Sequence, residues 1–483
     1  MIKNNPHAPL TRGEGFAFAS GDMFGGGAQT MIAFFYLRFL TDFVGISPAL
    51  AGSIIAVARI WDAVSDPLMG VITDNTRSRF GRRKPYFLVG FFGILAAVFL
   101  LWYPVQFSNP GARAAFVLVT YLFYSTIQTI VMVPYSAMSA EISTDYKERN
   151  FVNGTRLVFS QVATLLAAVL PLTIVDAFAD PRTGYQVMAL VFGLLFALPF
   201  LLVFLFANER VPEPEEKAKF DIKLFFKPLK LRSFRLLIGI YLSAFLINDI
   251  ISAVFTYFMD YYLNRPGDLE IVLGVLLIVS TVFVPVVIYF ANRYGKGRTL
   301  AVFLLVWLAG IFGLSRITPE LPHWVIYIVA GVIGIGTSGG IVSPWIMYPD
   351  VTDVGELAFG KRVSGSFSGL MTFFRKAAGA LALFLVGQIL QIADYREPTQ
   401  EIVDGVLSTT KYAQPASVIT ALQVLVIVIP VVLLGLLYFF VRRYPLSKEM
   451  HDRLKALLEF KRGEQGAAVV TEEDEAEIRS ELI

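Results

Sequence analysis

The chain has no cysteine, only three histidines, and charged residues at just 16% of its 483 positions. The lack of cysteine rules out a disulfide framework, a thiolate nucleophile and a cysteine metal site, and leaves the redox compartment open. His7, His323 and His451 lie outside the apolar cores of the spans described below, so neither an imidazole metal cluster nor an intramembrane imidazole proton relay is expected. A net charge of +3, with basic residues scattered over loops, gives no stripe for nucleic acid. No nucleophile sits beside a base, so no enzyme chemistry and no cofactor are expected. The polar start "MIKNNPHAPLTRGEG" lacks an apolar core and a small-residue cleavage site, which predicts an uncleaved first span.

What is abundant is apolar. Hydrophobic residues make up 55% of the chain, and the mean hydropathy is +0.63, the composition of a polytopic membrane protein. About 20 apolar residues cross the hydrocarbon as helix. Twelve windows qualify: 16–43, 48–73, 85–106, 113–140, 151–177, 184–207, 233–262, 269–292, 299–316, 322–349, 363–393 and 415–441. An all-α membrane protein of twelve transmembrane helices is expected. Loops after the even-numbered spans hold most of the loop Lys and Arg, which predicts both termini on the cytoplasmic side of a bacterial-type inner (plasma) membrane.

The longest polar interruption, "ANERVPEPEEKAKFDIKLFFKPLKLRS", falls after span 6. It divides the chain into an N-terminal bundle at 1–208, a cytoplasmic linker at 209–232, a C-terminal bundle at 233–442 and a tail at 443–483. "DNTRSRFGRRKPYFLVGF" after span 2 is echoed by "NRYGKGRTLAVFLLVW" after span 8, and "YSAMSAEISTDYKER" by "WIMYPDVTDVGELAFGKR", at an offset of about 210 residues. Two six-helix bundles repeated in the same direction form the major facilitator fold, whose sites lie near the midplane between the halves. In the tail, Met450, Leu454, Leu457 and Leu458 mark one side of an amphipathic helix, and "TEEDEAEI" reads as a solvated end. "GIGTSG" at 334–339 has no preceding strand and reads as close helix packing. "GELAFGKR" at 355–362 has Arg362 where a phosphate-binding loop needs Ser or Thr.

Span 2 carries the chemistry. In "ARIWDAVSDPLMG", Arg59, Asp62 and Asp66 are three and four residues apart and share one helix face. An ionised carboxylate facing lipid there would cost at least about 2.5 to 3.5 kcal/mol, so the face must meet protein or water. A structural Arg59–Asp62 pair is one reading. A second acid one turn away is what a Na⁺ or H⁺ site needs, because the cation cancels the repulsion between the two carboxylates.

These residues, with "TRSRFGRRKP", "FLTDFVGIS", "VPYSAM" and "DVTDVGE", resemble the glycoside-pentoside-hexuronide:cation symporters over most of the chain. The resemblance implies that Asp62 and Asp66 hold the coupling cation with Thr129 beside them, and that Arg156 and Lys376 line the cavity. "GVITDNTRSRFGRRK" resembles the general facilitator motif at the turn between spans 2 and 3, which implies a cytoplasmic gate of Asp74, Arg77, Arg82 and Arg83; a purely topogenic role for those cations is the other reading. The chain departs from the family at the sugar. Gly26 and Met132 stand where galactoside carriers place acids, and Ser136 and Ile341 replace aromatics. Asp22, Gln128, Gln161, Asn248 and Asp249 are the remaining polar candidates. Gly25, Gly26 and Gly27 permit close approach or unwinding of span 1.

Three functions are expected in order. The first is Na⁺- or H⁺-coupled symport of a sugar, glycoside or hexuronide by a monomer in the bilayer. The second is coupled symport of an amphiphile such as a lysophospholipid, and the third a non-transporting sensor on the same fold. Because Lys376 and Arg156 need anions, an anionic substrate is expected.

Overall fold

The computed structural model describes residues 10–143, 146–210, 225–360, 364–403, 406–462 and 471–483. Most of the expected linker (211–224), His7 and the end of "GELAFGKR" lie outside the described residues. Among the described residues, eleven helices are long and apolar enough to cross a membrane. They include α3 (Pro48–Asn75), α4 (Lys84–Leu101), α5 (Pro110–Glu141), α6 (Tyr146–Asp176) and α7 (Pro181–Phe206). After these come α8 (Arg232–Tyr257), α9 (Leu269–Tyr294), α10 (Lys296–Leu314), α11 (His323–Phe359) and α12 (Ser364–Ile392). The last crossing joins α13 (Ala416–Gln423) to α14 (Ile429–Arg443). Bulky apolar side chains such as Val282, Leu305, Phe312 and Val432 remain about 60% exposed. Water would penalise such a surface, whereas acyl chains do not.

The first expected span is built in pieces. α1 (Arg12–Ala19) and α2 (Asp22–Met31) meet at a turn, and the chain continues through π-helical turns at Ile32–Tyr36 and Phe39–Phe43. Glycine is the physical reason this segment fits its neighbours. A Cβ on Gly21 would sit 2.7 Å from the Tyr135 ring, and one on Gly26 2.4 Å from Ser160 Oγ and 2.7 Å from its carbonyl. The expected close approach of the glycine run is therefore observed as packing of α2 on α6.

Among the described residues, the all-α expectation has one exception, outside the spans. β1 (Thr399–Val403) and β2 (Val406–Thr410) pair antiparallel in the connection after α12, with Val403 opposite Val406. The tail also departs from expectation. α15 (Lys448–Arg462) buries Met450, Leu454, Leu457 and Leu458 as anticipated, but the acidic segment is helical rather than simply solvated. In α16 (Glu472–Leu482) the Thr471 hydroxyl accepts from Asp474 N at 3.2 Å, four acids occupy the first turn, and Ile478 and Leu482 are buried. A side-chain cap and acids at the positive end of the dipole both favour the helix.

The chain separates into two compact units. The first comprises Met1–Phe220, Ser252–Glu270 and Ala380–Leu422, and the second comprises Asp221–Ile251, Ile271–Gly379 and Gln423–Ile483. In the first, α4 runs along α7 and α3 along α5; in the second, α10 runs along α11. Small residues allow the last contact: a Cβ on Gly336 would lie 2.4 Å from Trp307 Cα, so "GIGTSG" is helix packing, as expected.

Candidate cation and substrate site

α3 presents Asp62 and Asp66 one turn apart, Asp62 being 8% exposed. The Thr129 hydroxyl of α5 donates to Asp66 Oδ1 at 2.8 Å, and the Ser65 and Thr129 hydroxyls lie 3.1 Å apart. Thr129 is buried. The Asp66 carboxylate and the Ser65 and Thr129 hydroxyls thus gather on adjoining helices, with Asp62 one turn away on α3, an all-oxygen set suited to a hard cation or a proton. Arg59 turns to the Tyr121 hydroxyl on α5, and its Nε is buried without a hydrogen-bond partner among the described residues.

A second polar cluster of this unit joins α2 to α6. Arg156 donates to Asp22 Oδ1 at 3.3 Å and to Asn153 Oδ1 at 3.1 Å, and its guanidinium lies 4.6 Å from the centre of the Tyr135 ring. Tyr135 is held by donating to the Phe18 carbonyl at 2.8 Å. Asp22 and Arg156, expected separately, therefore meet as a pair. Gly26 faces α6, Met132 approaches Gly25, and Gln128 is half-buried on α5.

In the second unit, Asp249 on α8 receives both arms of Arg375: Nη1 lies 2.5 Å from Oδ2 and Nη2 2.7 Å from Oδ1. Arg375 also stacks over Phe245 at 4.7 Å. Arg375 was missed, although "FFRKAAG" places two cations side by side in an apolar span. Lys376 follows it on α12, and Lys376, Asn248 and Ile341 are all half-buried in this unit.

Of the expected gate, Arg82 and Arg83 are almost fully buried. Arg83 reaches Glu141 at 2.7 Å and Asp74 at 2.9 Å, and Arg82 reaches Glu141 at 2.9 Å. Arg77 is exposed and donates to the Asp74 carbonyl. Glu209 accepts from the backbone N–H groups of Arg82, Arg83 and Lys84 at 2.9, 2.7 and 3.2 Å. Burial would raise the Glu141 carboxyl, but the hydrogen bonds and charges of Arg83 and Arg82 outweigh it and hold it below the usual range. Glu141 and Glu209 stood in quoted stretches without being assigned a role.

The opposite end of the first unit holds a cluster to which the sequence assigned no role, although Thr41 and Asp42 lie in "FLTDFVGIS". Arg38 bonds Asp42 at 3.2 Å and also pairs with Asp260, and Lys411 reaches Asp260 at 2.6 Å. Tyr395 and Tyr261 donate to Asp42 at 2.5 and 3.0 Å, and the Thr41 and Tyr257 hydroxyls meet at 2.6 Å. Asp42 and Asp260 each sit in a π turn, Phe39–Phe43 and Phe258–Tyr262. Such turns re-aim side chains inside otherwise regular helices.

Residues 17–448 match the family described as MFS/sugar transport protein. The chain is 27% identical to the putative glycoside/cation symporter YagG of Escherichia coli, covering 95% of this chain and 97% of that one. It is 25% identical to the isoprimeverose transporter of Lactiplantibacillus pentosus, covering 94% and 92%. It is 26% identical to the sodium-dependent lysophosphatidylcholine symporter 1 of Gallus gallus, covering 92% and 88%. The fold is similar to that of the nucleoside transporter NupG, with a TM-score of 0.58 at 14% identity over 89% of this chain and 97% of that one. A bacterial homologue of the lysosomal transporter Spinster gives 0.59 at 12%, over 89% and 95%. With its spans, its paired acids and a match along most of its length, the chain is a multi-pass membrane protein of the MFS/sugar transport family, the family of the glycoside-pentoside-hexuronide symporters.

Proposed function

We propose that the protein is a secondary active symporter that couples entry of Na⁺ or H⁺ at Asp62 and Asp66 to transport of a sugar, glycoside or hexuronide by alternating access. The observation that carries this reading is the acid pair on α3, with Thr129 bonded to Asp66 at 2.8 Å. A single buried carboxylate would be expected to take a structural partner or a proton. Two carboxylates one turn apart, one of them bonded to a neighbouring hydroxyl, gain stability from a bound cation that cancels their repulsion. In Asp62→Asn and Asp66→Asn variants reconstituted in vesicles, uphill accumulation should disappear while folding and insertion persist. A double variant that still concentrates substrate would end the proposal. Uptake should also respond to membrane potential, which supplies about 2.3 kcal/mol per charge per 100 mV when one charge crosses the full field.

The substrate proposed is anionic. Arg156 has one anion in Asp22 at 3.3 Å, beyond the short range of the strongest charge-assisted bonds, and its Nε is buried without a hydrogen-bond partner among the described residues. Its remaining donors suit a uronate carboxylate or a phosphodiester. Lys376→Ala or Arg156→Ala should weaken an anionic ligand more than a neutral analogue, and equal loss would remove the anion site while sparing the symporter. A second reading, transport of a lysophospholipid, is supported by the apolar Met132 and Ile341 and by the relative in Gallus gallus. Flux of a labelled hexuronide against a labelled lysophospholipid decides between the two.

A further inference from the structure

Away from the acids and their partners, α9, α10 and α11 enclose a groove of about 360 Å³. Phe283, Phe290 and Tyr294 form one wall, spaced seven and four residues apart on a single face of α9. At 1.5 Å per residue that wall is about 16 Å long. Val302 of α10 lies opposite and is 59% exposed, so the groove opens sideways onto the surface of membrane-spanning helices.

The end of the groove at the α9–α10 turn is different in kind. Arg298 lines it one turn before Val302, is exposed, and has no ion-pair partner among the described residues. Arg293 stacks on the Tyr294 ring at 5.6 Å and adds a second cation nearby. Thr299 also lines the groove; it is 5% exposed, yet its hydroxyl has no hydrogen-bond partner among the described residues. A buried hydroxyl left unbonded is costly, and native structures seldom tolerate one without a ligand or water.

We propose that this groove is a binding site for a resident anionic diacyl phospholipid, one acyl chain lying along α9 and the phosphate held by Arg298 and Thr299. Each part of the lipid finds its complement. The wall takes hydrocarbon in the bilayer. The guanidinium sits where a span emerges into the headgroup layer and offers phosphate two parallel N–H donors. The hydroxyl supplies a further donor to a phosphate or ester oxygen. No acid lines the groove to receive the cation of a zwitterionic headgroup, and this selects for net negative charge. The site is independent of the transported substrate and of the coupling acids.

The test is native mass spectrometry of the full-length protein in neutral detergent, titrated with phosphatidylglycerol or with phosphatidylcholine of identical chains. The wild type should bind a first phosphatidylglycerol saturably and about tenfold more tightly than phosphatidylcholine. Arg298→Ala should reduce that preference to parity, and Val302→Trp, which fills the groove, should weaken both lipids. Melting in lipid-free detergent checks that each variant folds. If Val302→Trp does not fold, the isosteric Thr299→Val should still weaken phosphatidylglycerol severalfold. Equal binding of the two lipids to the wild type, or a preference that survives Arg298→Ala, overturns the proposal.

Discussion

The two sequence repeats solve the same problem with different chemistry. After span 2, the turn between α3 and α4 is fastened to the end of α5 by Arg82 and Arg83 on Glu141. After span 8, the turn between α9 and α10 is fastened to α11 by Lys296, whose ammonium donates to Asp350 at 2.6 and 2.7 Å and to the Ile346 carbonyl at 2.7 Å. Both clamps join the repeat's basic turn to its fourth span. In the first, the two arginine side chains are 5% and 4% exposed and Glu209 braces the backbone behind them. In the second, the Lys296 side chain is 27% exposed, and the third participant is His451, brought by the tail helix α15 to 3.5 Å from Asp350 and 3.6 Å from Asp353. The first clamp is buried and loses its charge only in acid. The second is wetter, and one of its members titrates.

The largest expected effect comes from Glu141→Gln. It removes the shared anion from two buried arginines, and breaking a buried pair from one side costs about 3 to 5 kcal/mol. Chemical denaturation in detergent should show a loss near the lower figure, because Asp74 still holds Arg83. Asp350→Asn should cost less, about 1 to 2 kcal/mol. Lys296 keeps the Ile346 carbonyl and can reach water, and exposed ion pairs are weak. Equal losses in the two variants would show that burial does not separate the clamps.

Hydropathy made the spans legible, and the spacing of Asp62 and Asp66 made the acid pair legible. Each is a local signal that survives in one dimension. The fourth and tenth spans also carried the repeat openly, in "YSAMSAEIS" and "WIMYPDVTD". What stayed hidden depends on partners distant in sequence. Glu141 and Glu209 carry no local mark of the gate arginines they hold, because 58 to 127 residues separate the pairs. Asp249 was a candidate on its own, but its pairing with Arg375, 126 residues away, hid for the same reason. The π turns bearing Asp42 and Asp260 have no composition of their own. The hairpin was legible and overlooked: the Asp-Gly step at 404–405 between Val403 and Val406 is a short-range hairpin signal.

The smallest predicted effect is the one most diagnostic of the difference between the clamps. A contact with the Asp353 carboxylate raises the affinity of His451 for its proton. Partial burial opposes this, Asp350 adds to it and Lys296 subtracts. The imidazolium is therefore favoured in the folded chain. A group whose folded pKa is raised contributes its full stability below its unfolded value, about 6.5, and loses it as pH rises through the folded value. Glu141 behaves oppositely. Its pKa is held down, so its contribution is complete above the ordinary carboxylate range and falls away only in acid. Between neutral and mildly alkaline pH the first clamp should accordingly be indifferent, while the second loosens by an amount typical of a partly exposed ion pair, up to about 1 kcal/mol. Hydrogen exchange of α15 as a function of pH reads this directly. Protection should decline as pH rises above about 6.5 in the wild type and stay flat in His451→Gln, with amides at the start of α4 unchanged in both. A wild-type α15 whose protection does not vary with pH, or a decline that persists in His451→Gln, would place the titrating group elsewhere.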